Sequence, residues 1–378
     1  MNMQATTEEL AQRKKVLLEA MTEHGWDVIC LSDRTNQDFL IDTIEPDGHP
    51  AFLLLDRSGE YVLIAGEGDG LTGWQRDDVT VRTYPVYDAE RWTVPADNAA
   101  RLLTEALQSS RARRLGTDML PVRSACGNVV SLVGEGLMLY DVRPILSRMR
   151  RTKRPYEIER IREAGRLHEA MYRAVRRQIT DAKDEFELFH LMSLEAWRFA
   201  GRPISLDGQY DLLSGPRTMQ AGGKPVNRKL CAGDLVLVDL FPRFGGYYAD
   251  TCRTICTSAG QPNPLQERMF DRVTRALRIA ESGLKPGVRV KELFDEVNAE
   301  LAKIGGGYSL PHHLGHGIGL QDQEGPYLVR EGEDVLEEGM VICIEPGIYL
   351  EGAGVRIENM YVVRADGPEN LTPFDEGW

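Results

Sequence analysis

The sequence is poor in the residues that mark several common protein classes. Cysteine occurs six times in 378 residues, at 30, 126, 231, 252, 256 and 343, with no CxxC pair. A disulfide framework and a thiolate zinc module are therefore not expected, and the expected cysteine role is plain burial. Positive charge is short, with 45 Lys and Arg against 58 Asp and Glu and a formal net charge of −13. Such a balance argues against a phosphate backbone as partner, so no nucleic acid is expected. No run approaches the roughly 18 apolar residues that span a bilayer. The opening "MNMQATTEELAQRKK" is polar, without the apolar core of a signal peptide. A cytoplasmic protein with no membrane partner is the expectation. Histidine is also scarce, with seven in the chain, which makes any clustering of histidines informative.

What is present is an ordinary globular composition, 42% apolar and 27% charged. The length favours two domains over one core. Through residue 150 the pattern alternates helix and strand. "EELAQRKKVLLEAMTEHG" (8–25) has helical spacing with a glycine stop, "WDVICLS" is a buried strand, and "PAFLLLDRSGEYVLIAG" (50–66) is a hairpin turning at 56–59. "DVTVRTYPVYD" is extended, "PADNAARLLTEALQSS" is a helix, and "RRLGTD" opens another strand. These features predict an α/β N-terminal domain over 1–150, with no phosphate-binding glycine motif. A basic stretch beginning at "SRMRRTKRP" predicts a solvated linker near 150. A long charged helix then starts at about Pro155, where proline suits the first turn, and a second helix covers 184–201.

Chemistry-bearing residues gather in the second half. "VDLFPRFGGYYADT" (238–251) is two apolar runs joined at a glycine pair, each carrying one acid, Asp239 and Asp250. Symmetric pairing about Phe244 and Gly245 predicts these acids opposite one another, a repulsion that a divalent cation removes. Three of the seven histidines lie in "PHHLGHGIGL", at 312, 313 and 316, and glycines 315, 317 and 319 suggest close approach to His316. Glu345 in "MVICIEPGIYL" and Glu358 in "GVRIENMYVV" are acids in segments with strand patterning. Two Asp, two Glu and one His form an oxygen and nitrogen ligand set without thiolate. It suits two divalent ions of Mn, Co, Fe or Zn and hence metal-assisted hydrolysis.

At these residues the sequence resembles the pita-bread metallopeptidases: methionine aminopeptidase, aminopeptidase P, prolidase and their relative creatinase. The matching motifs are the two hairpin aspartates, "GHGIGL", "IEPG", "VRIEN" and the closing "ENLTPF" (369–374). The resemblance implies a creatinase-type N-terminal α/β domain over 1–150. It also implies an α+β pita-bread catalytic domain over 151–378. By the same resemblance Asp239 chelates one ion, His316 and Glu345 the other, Asp250 and Glu358 bridge both, and Glu345 shuttles the proton as a carboxylate of raised pKa. The working form it implies is a homodimer.

The departures concern the substrate. Family peptidases carry three further histidines around it, and only the one corresponding to His312 is kept. Gly222, in "SGPRTMQAGGKP", stands at the first position, and Gln323, in "GHGIGLQDQEGP", at the third. Glutamine can donate a hydrogen bond to a carbonyl but cannot carry a proton. The Phe-Pro after Asp239 resembles creatinase's version of the hairpin. The expectation is a dinuclear metal-dependent hydrolase of an amide or C–N bond in a small, dipeptide-like substrate, with Glu345, His312 and Gln323 at the chemistry. A specialised C–N hydrolase or lyase for one metabolite, and a metal-binding homologue without catalysis, are the alternatives. His313 is expected to be structural. Arg356 is expected to face either a substrate carboxylate or a surface or dimer salt bridge.

Overall fold

The structure is a computed structural model that describes residues 4–43, 48–69, 74–119, 136–180, 182–206, 210–257 and 261–377. Cys126 lies outside the described residues. The chain forms two compact units, residues 4–150 and residues 151–378.

The first unit is built on one mixed sheet. Its strands are β1 (Val28–Leu31), β2 (Phe52–Asp56), β3 (Tyr61–Gly66), β4 (Val79–Tyr84), β5 (Arg114–Thr117) and β6 (Met138–Asp141), in the order β4-β3-β2-β1-β5-β6. β1, β2 and β3 pair antiparallel, and the outer strands add in parallel. Helix α1 (Thr7–His24) starts at a capping box between Thr6 and Glu9 and stops at Gly25, whose φ of 68° is free of penalty only for glycine. Helix α3 (Pro95–Ser110) begins on proline and buries Ala99, Leu103 and Leu107, one stripe at helical spacing. α2 (Arg34–Ile41) and α4 (Arg143–Arg151) complete the unit.

The basic stretch near 150 is not a solvated linker. Residues 147–151 are the last turns of α4, and Arg150 is buried, donating to Asn36 Oδ1 at 2.5 Å. Arg151 donates to Asp334 at 2.7 Å, and Lys153 forms a buried ion pair with Glu324 at 2.7 Å. Charge along the sequence is misleading here because the compensating acids lie about 170–180 residues away.

The second unit opens with α5 (Pro155–Gln178) and α6 (Glu185–Ala200), which pack on a three-stranded sheet, β11-β8-β7. These strands are β7 (Tyr210–Ser214), β8 (Leu235–Leu240) and β11 (Thr251–Cys256). Between β8 and β11 the chain makes a small separate ladder, β9 (Arg243–Phe244) with β10 (Tyr247–Tyr248). Helices α7 (Pro264–Gly283) and α8 (Val290–Ala302) cover a second sheet in the order β13-β12-β14-β17-β18. Its strands are β12 (Gly315–Gly317), β13 (Glu324–Leu328), β14 (Val341–Ile344), β17 (Asn359–Val362) and β18 (Glu369–Asn370), with the hairpin β15 (Gly347–Leu350) and β16 (Ala353–Arg356) inserted between β14 and β17. Among the described residues no helix is long and apolar enough to cross a membrane.

Candidate metal centre

The hairpin register differs from the symmetric expectation. Gly245 and Gly246 both have positive φ, 60° and 87°, so they occupy the two central positions of a tight turn. The symmetry point therefore lies between them, and Asp239 faces Cys252 on β11 and Asp211 on β7. Asp250 sits just before β11 rather than across from Asp239. The two carboxylates still meet side chain to side chain, because Asp250 lies two residues before Cys252 and so on the face that Asp239 occupies.

Glu345 and Glu358 are not in strands either. Each occupies a two-residue break, Glu345 between β14 and β15 and Glu358 between β16 and β17. There each carboxylate turns inward without having to fit the pleat of a ladder. His316 is on β12, directly opposite Cys343. The glycines around it serve chain packing rather than ligand access. A Cβ on Gly315 would lie 1.9 Å from the Cys343 carbonyl oxygen, and one on Gly317 would lie 2.5 Å from the Gly325 carbonyl oxygen. The backbones approach so closely that only glycine fits.

These elements surround a cavity of about 260 Å³ lined by all five residues of the expected ligand set, with His312, His313, Gln323, Arg356, Asp211 and Gly222. Asp239, Asp250, His316, Glu345 and Glu358 are all buried. His316 donates from Nδ1 to the Gly317 carbonyl at 3.0 Å. That bond leaves Nε2 as a free lone pair, 3.6 Å from Asp250 Oδ2 and 3.8 Å from Glu345 Oε1. One oxygen of Asp239 and one of Glu358 are buried with no hydrogen-bond partner among the described residues. Unbonded buried carboxylate oxygens are costly and call for a cation.

The electrostatics agree. Burial and the surrounding carboxylates push Asp250 and Glu358 well above the usual carboxylate range, and burial pushes Asp239 up to about 6 against the pull of Arg356. Glu345 departs from its expected raised pKa. Burial works to raise it, but the hydrogen bond with His313 and the charge of Arg356 hold it down at about 2. This donor set fits divalent ions.

His313 does more than pack, since its Nε2 lies 2.8 Å from Glu345 Oε1. With His316 and Glu345 it forms a group whose ligand atoms lie within 4.8 Å of one another. A second such group is Asp250, His316, Cys343 and Glu358. A thiol, that of Cys343, thus lies beside the expected oxygen and nitrogen ligands. His312 lines the cavity, but both nitrogens are engaged. Nδ1 donates to the His313 carbonyl at 2.7 Å, and Nε2 accepts from the Tyr349 hydroxyl at 2.9 Å. Gln323 lies exposed at the rim. Gly222 packs against Asp211, whose Oδ2 would stand 2.8 Å from an added Cβ. Arg356 is not at the surface. It is buried, bonded to Asp239 and donating to the Ala221 carbonyl at 2.6 Å and the Tyr349 hydroxyl at 3.0 Å. Sequence patterning alone does not point to Cys343, whereas Asp211, an acid in the apolar run "YDLLS", carries the same signal as Asp239.

Residues 159–365, more than half of the chain, match the profile of Metallopeptidase family M24. The chain belongs to that family. Among curated relatives, the Xaa-Pro dipeptidase of Pyrococcus horikoshii is 34% identical over 235 residues, covering 60% of this chain and 64% of its own length. That of Pyrococcus furiosus is 35% identical over 236 residues, 60% of this chain and 65% of its own. The matched region thus spans slightly less than two thirds of those two relatives. Among solved structures, an Xaa-Pro dipeptidase from Bacillus anthracis superposes with a TM-score of 0.82 at 21% identity, over 97% of this chain and 98% of that one. The prolidase from Pyrococcus horikoshii gives 0.82 at 24%, over 97% and 99%. At these identities the likeness establishes the fold: an α/β N-terminal domain followed by the M24 pita-bread domain.

Proposed function

We propose that this M24 protein is a metal-dependent hydrolase of an amide bond in a small, Xaa-Pro dipeptide-like substrate, using two divalent ions of Mn, Co, Fe or Zn. The observation that carries the reading is the convergence of four buried carboxylates and His316 on one cavity, with unbonded oxygens on Asp239 and Glu358. The names of the curated relatives support the substrate class. When bound, such ions supply Lewis acidity and an activated water. The chain's own residues do the rest. Asp239, kept in place by Arg356, would hold one ion, His316 and Glu345 the other, and Asp250 and Glu358 would be shared. Glu345, kept ionised beside His313, accepts a proton and passes it to the departing amine. Gln323, at the rim, donates its amide to the substrate. By resemblance to the family the working form is a homodimer, and the scattered cysteines suit a cytoplasmic setting.

The test is metal stripping. Xaa-Pro dipeptide hydrolysis should vanish after chelation and return with added Mn²⁺ or Co²⁺. Full activity in metal-free protein would sink the reading.

A second reading is favoured by the wall of the cavity. Gly222 with Asp211 behind it, and Gln323 at the rim, leave two positions without a proton carrier where family peptidases place histidine. On this reading the same centre acts on a C–N bond of one metabolite, as a specialised hydrolase or lyase.

A further inference from the structure

Cys343 is placed differently from an ordinary core cysteine. On β14 its neighbours Ile342 and Ile344 point into the hydrophobic core beneath the sheet. Cys343 points to the opposite face. Its cross-strand partners are His316 on β12 and Met360 on β17. Directly opposed residues share a face of a sheet, and residues two apart on a strand share it too. The register therefore aims His316 and Cys343 at the same side. Glu345 lies two residues beyond Cys343 and Glu358 two before Met360, at the ends of the same ladders. The thiol is fully buried, and its sulfur lies with ligand atoms of Asp250, His316 and Glu358, all within 4.8 Å of one another. A second observation points to a ligand there: Glu358, 1% exposed, carries an oxygen with no hydrogen-bond partner among the described residues. A structural cysteine prefers apolar neighbours, and a thiol among carboxylates needs another reason to be there.

We propose that Cys343 is a metal ligand, its thiolate joining Asp250, His316 and Glu358 around one of the ions. The inference rests on the metal centre of the proposed function but concerns which ion it takes. The thiol proton leaves to solvent as the ion binds, and nothing is oxidised. Thiolate is soft, so it biases this position towards Zn²⁺, Co²⁺ or Fe²⁺ over Mn²⁺, which prefers oxygen.

The experiment titrates the metal-free full chain with Co²⁺ under anaerobic conditions. A near-ultraviolet thiolate-to-cobalt charge-transfer band is expected. It should be lost in Cys343→Ser and kept in Cys252→Ser, and the Zn²⁺ preference over Mn²⁺ should fall at least about tenfold in Cys343→Ser. X-ray absorption of the zinc-loaded wild-type chain should contain a Zn–S path at about 2.3 Å. That measurement needs no variant and decides the matter if Cys343→Ser does not fold. Bound cobalt without the band, a band that survives Cys343→Ser, or zinc with only oxygen and nitrogen neighbours would each overturn the proposal. None of these readouts depends on turnover. A protein with the band that cleaves no dipeptide refutes the proposed substrate alone. A protein that cleaves dipeptides without the band refutes the thiolate alone. Failure to bind cobalt at all refutes both.

Discussion

Arg253 is a heavily bonded buried cation near the metal centre, and replacing it with Met tests how that centre is held. The side chain is fully buried on β11. It donates to the carbonyls of Cys252 (2.9 Å), Glu358 (2.6 Å), Thr372 (3.5 Å) and Asp375 (3.1 Å), and to Asn359 Oδ1 (2.8 Å). It thus ties the hairpin strand, the break carrying Glu358 and the C-terminal segment to one point. Hydrogen bonds to a charged group are each worth about 1.5–3 kcal/mol, and five of them would naively total roughly 7–15 kcal/mol. Burying the guanidinium costs several kcal/mol, which methionine recovers along with most of the stem's packing. The acceptors left behind keep the balance unfavourable, and a net loss of about 3–5 kcal/mol is expected. For a unit of this size about 2–4 °C is lost per kcal/mol, so the melting transition of residues 151–378 should fall by roughly 6–20 °C. Differential scanning calorimetry of metal-free Arg253→Met against the parent chain measures it. A fall under about 3 °C would refute the reasoning, because it would mean the desolvation cost of the arginine cancels its bonds.

Burial drives the His168 imidazole pKa down from 6.5 to about 3, so the unfolded chain takes the proton first. Stability should therefore fall by up to about 1.4 kcal/mol per pH unit below 6.5 and level off near 3. His168→Gln, which can still bond Thr251, should lose that slope; parallel urea midpoints against pH would contradict it. Gly315→Ala drives a Cβ to 1.9 Å from the Cys343 carbonyl oxygen. Backbone against backbone has no flexible end to yield, so a loss of about 3 kcal/mol is expected, and unchanged melting would contradict it. Gln323→His should raise kcat/KM for an Xaa-Pro dipeptide by about tenfold or more if the peptidase reading holds. No gain, with turnover of an unrelated metabolite, would favour the specialised reading.

Much of the fold was visible in local patterning. The first-unit hairpin, Pro95–Ser110, the long helix from Pro155 and the helix after Asp184 all follow from spacing and caps that act over a few residues. The basic stretch near 150 misleads for the opposite reason, since its partners Asn36, Asp334 and Glu324 are far away in sequence. Hairpin symmetry failed by one residue. A turn centred on Gly245–Gly246 is set by the φ of both glycines, and their order alone does not say which pair is central. Asp211 is a partner of Asp239 only through the β7–β8 register.

The chemistry available to this M24 protein follows from its residues in order: acids and a histidine in apolar segments, arranged in a way that resembles one family. Those are statements about residue types and order, and local rules carry them. Tertiary structure alone decided which atoms face each other. It put Glu345 and Glu358 in breaks between strands, set His313 against Glu345, and turned Arg356 onto Asp239. It also brought the Cys343 sulfur to the carboxylates. The physical reason is that strand register and chain breaks choose the face a side chain occupies, and a shift of one residue reverses that face.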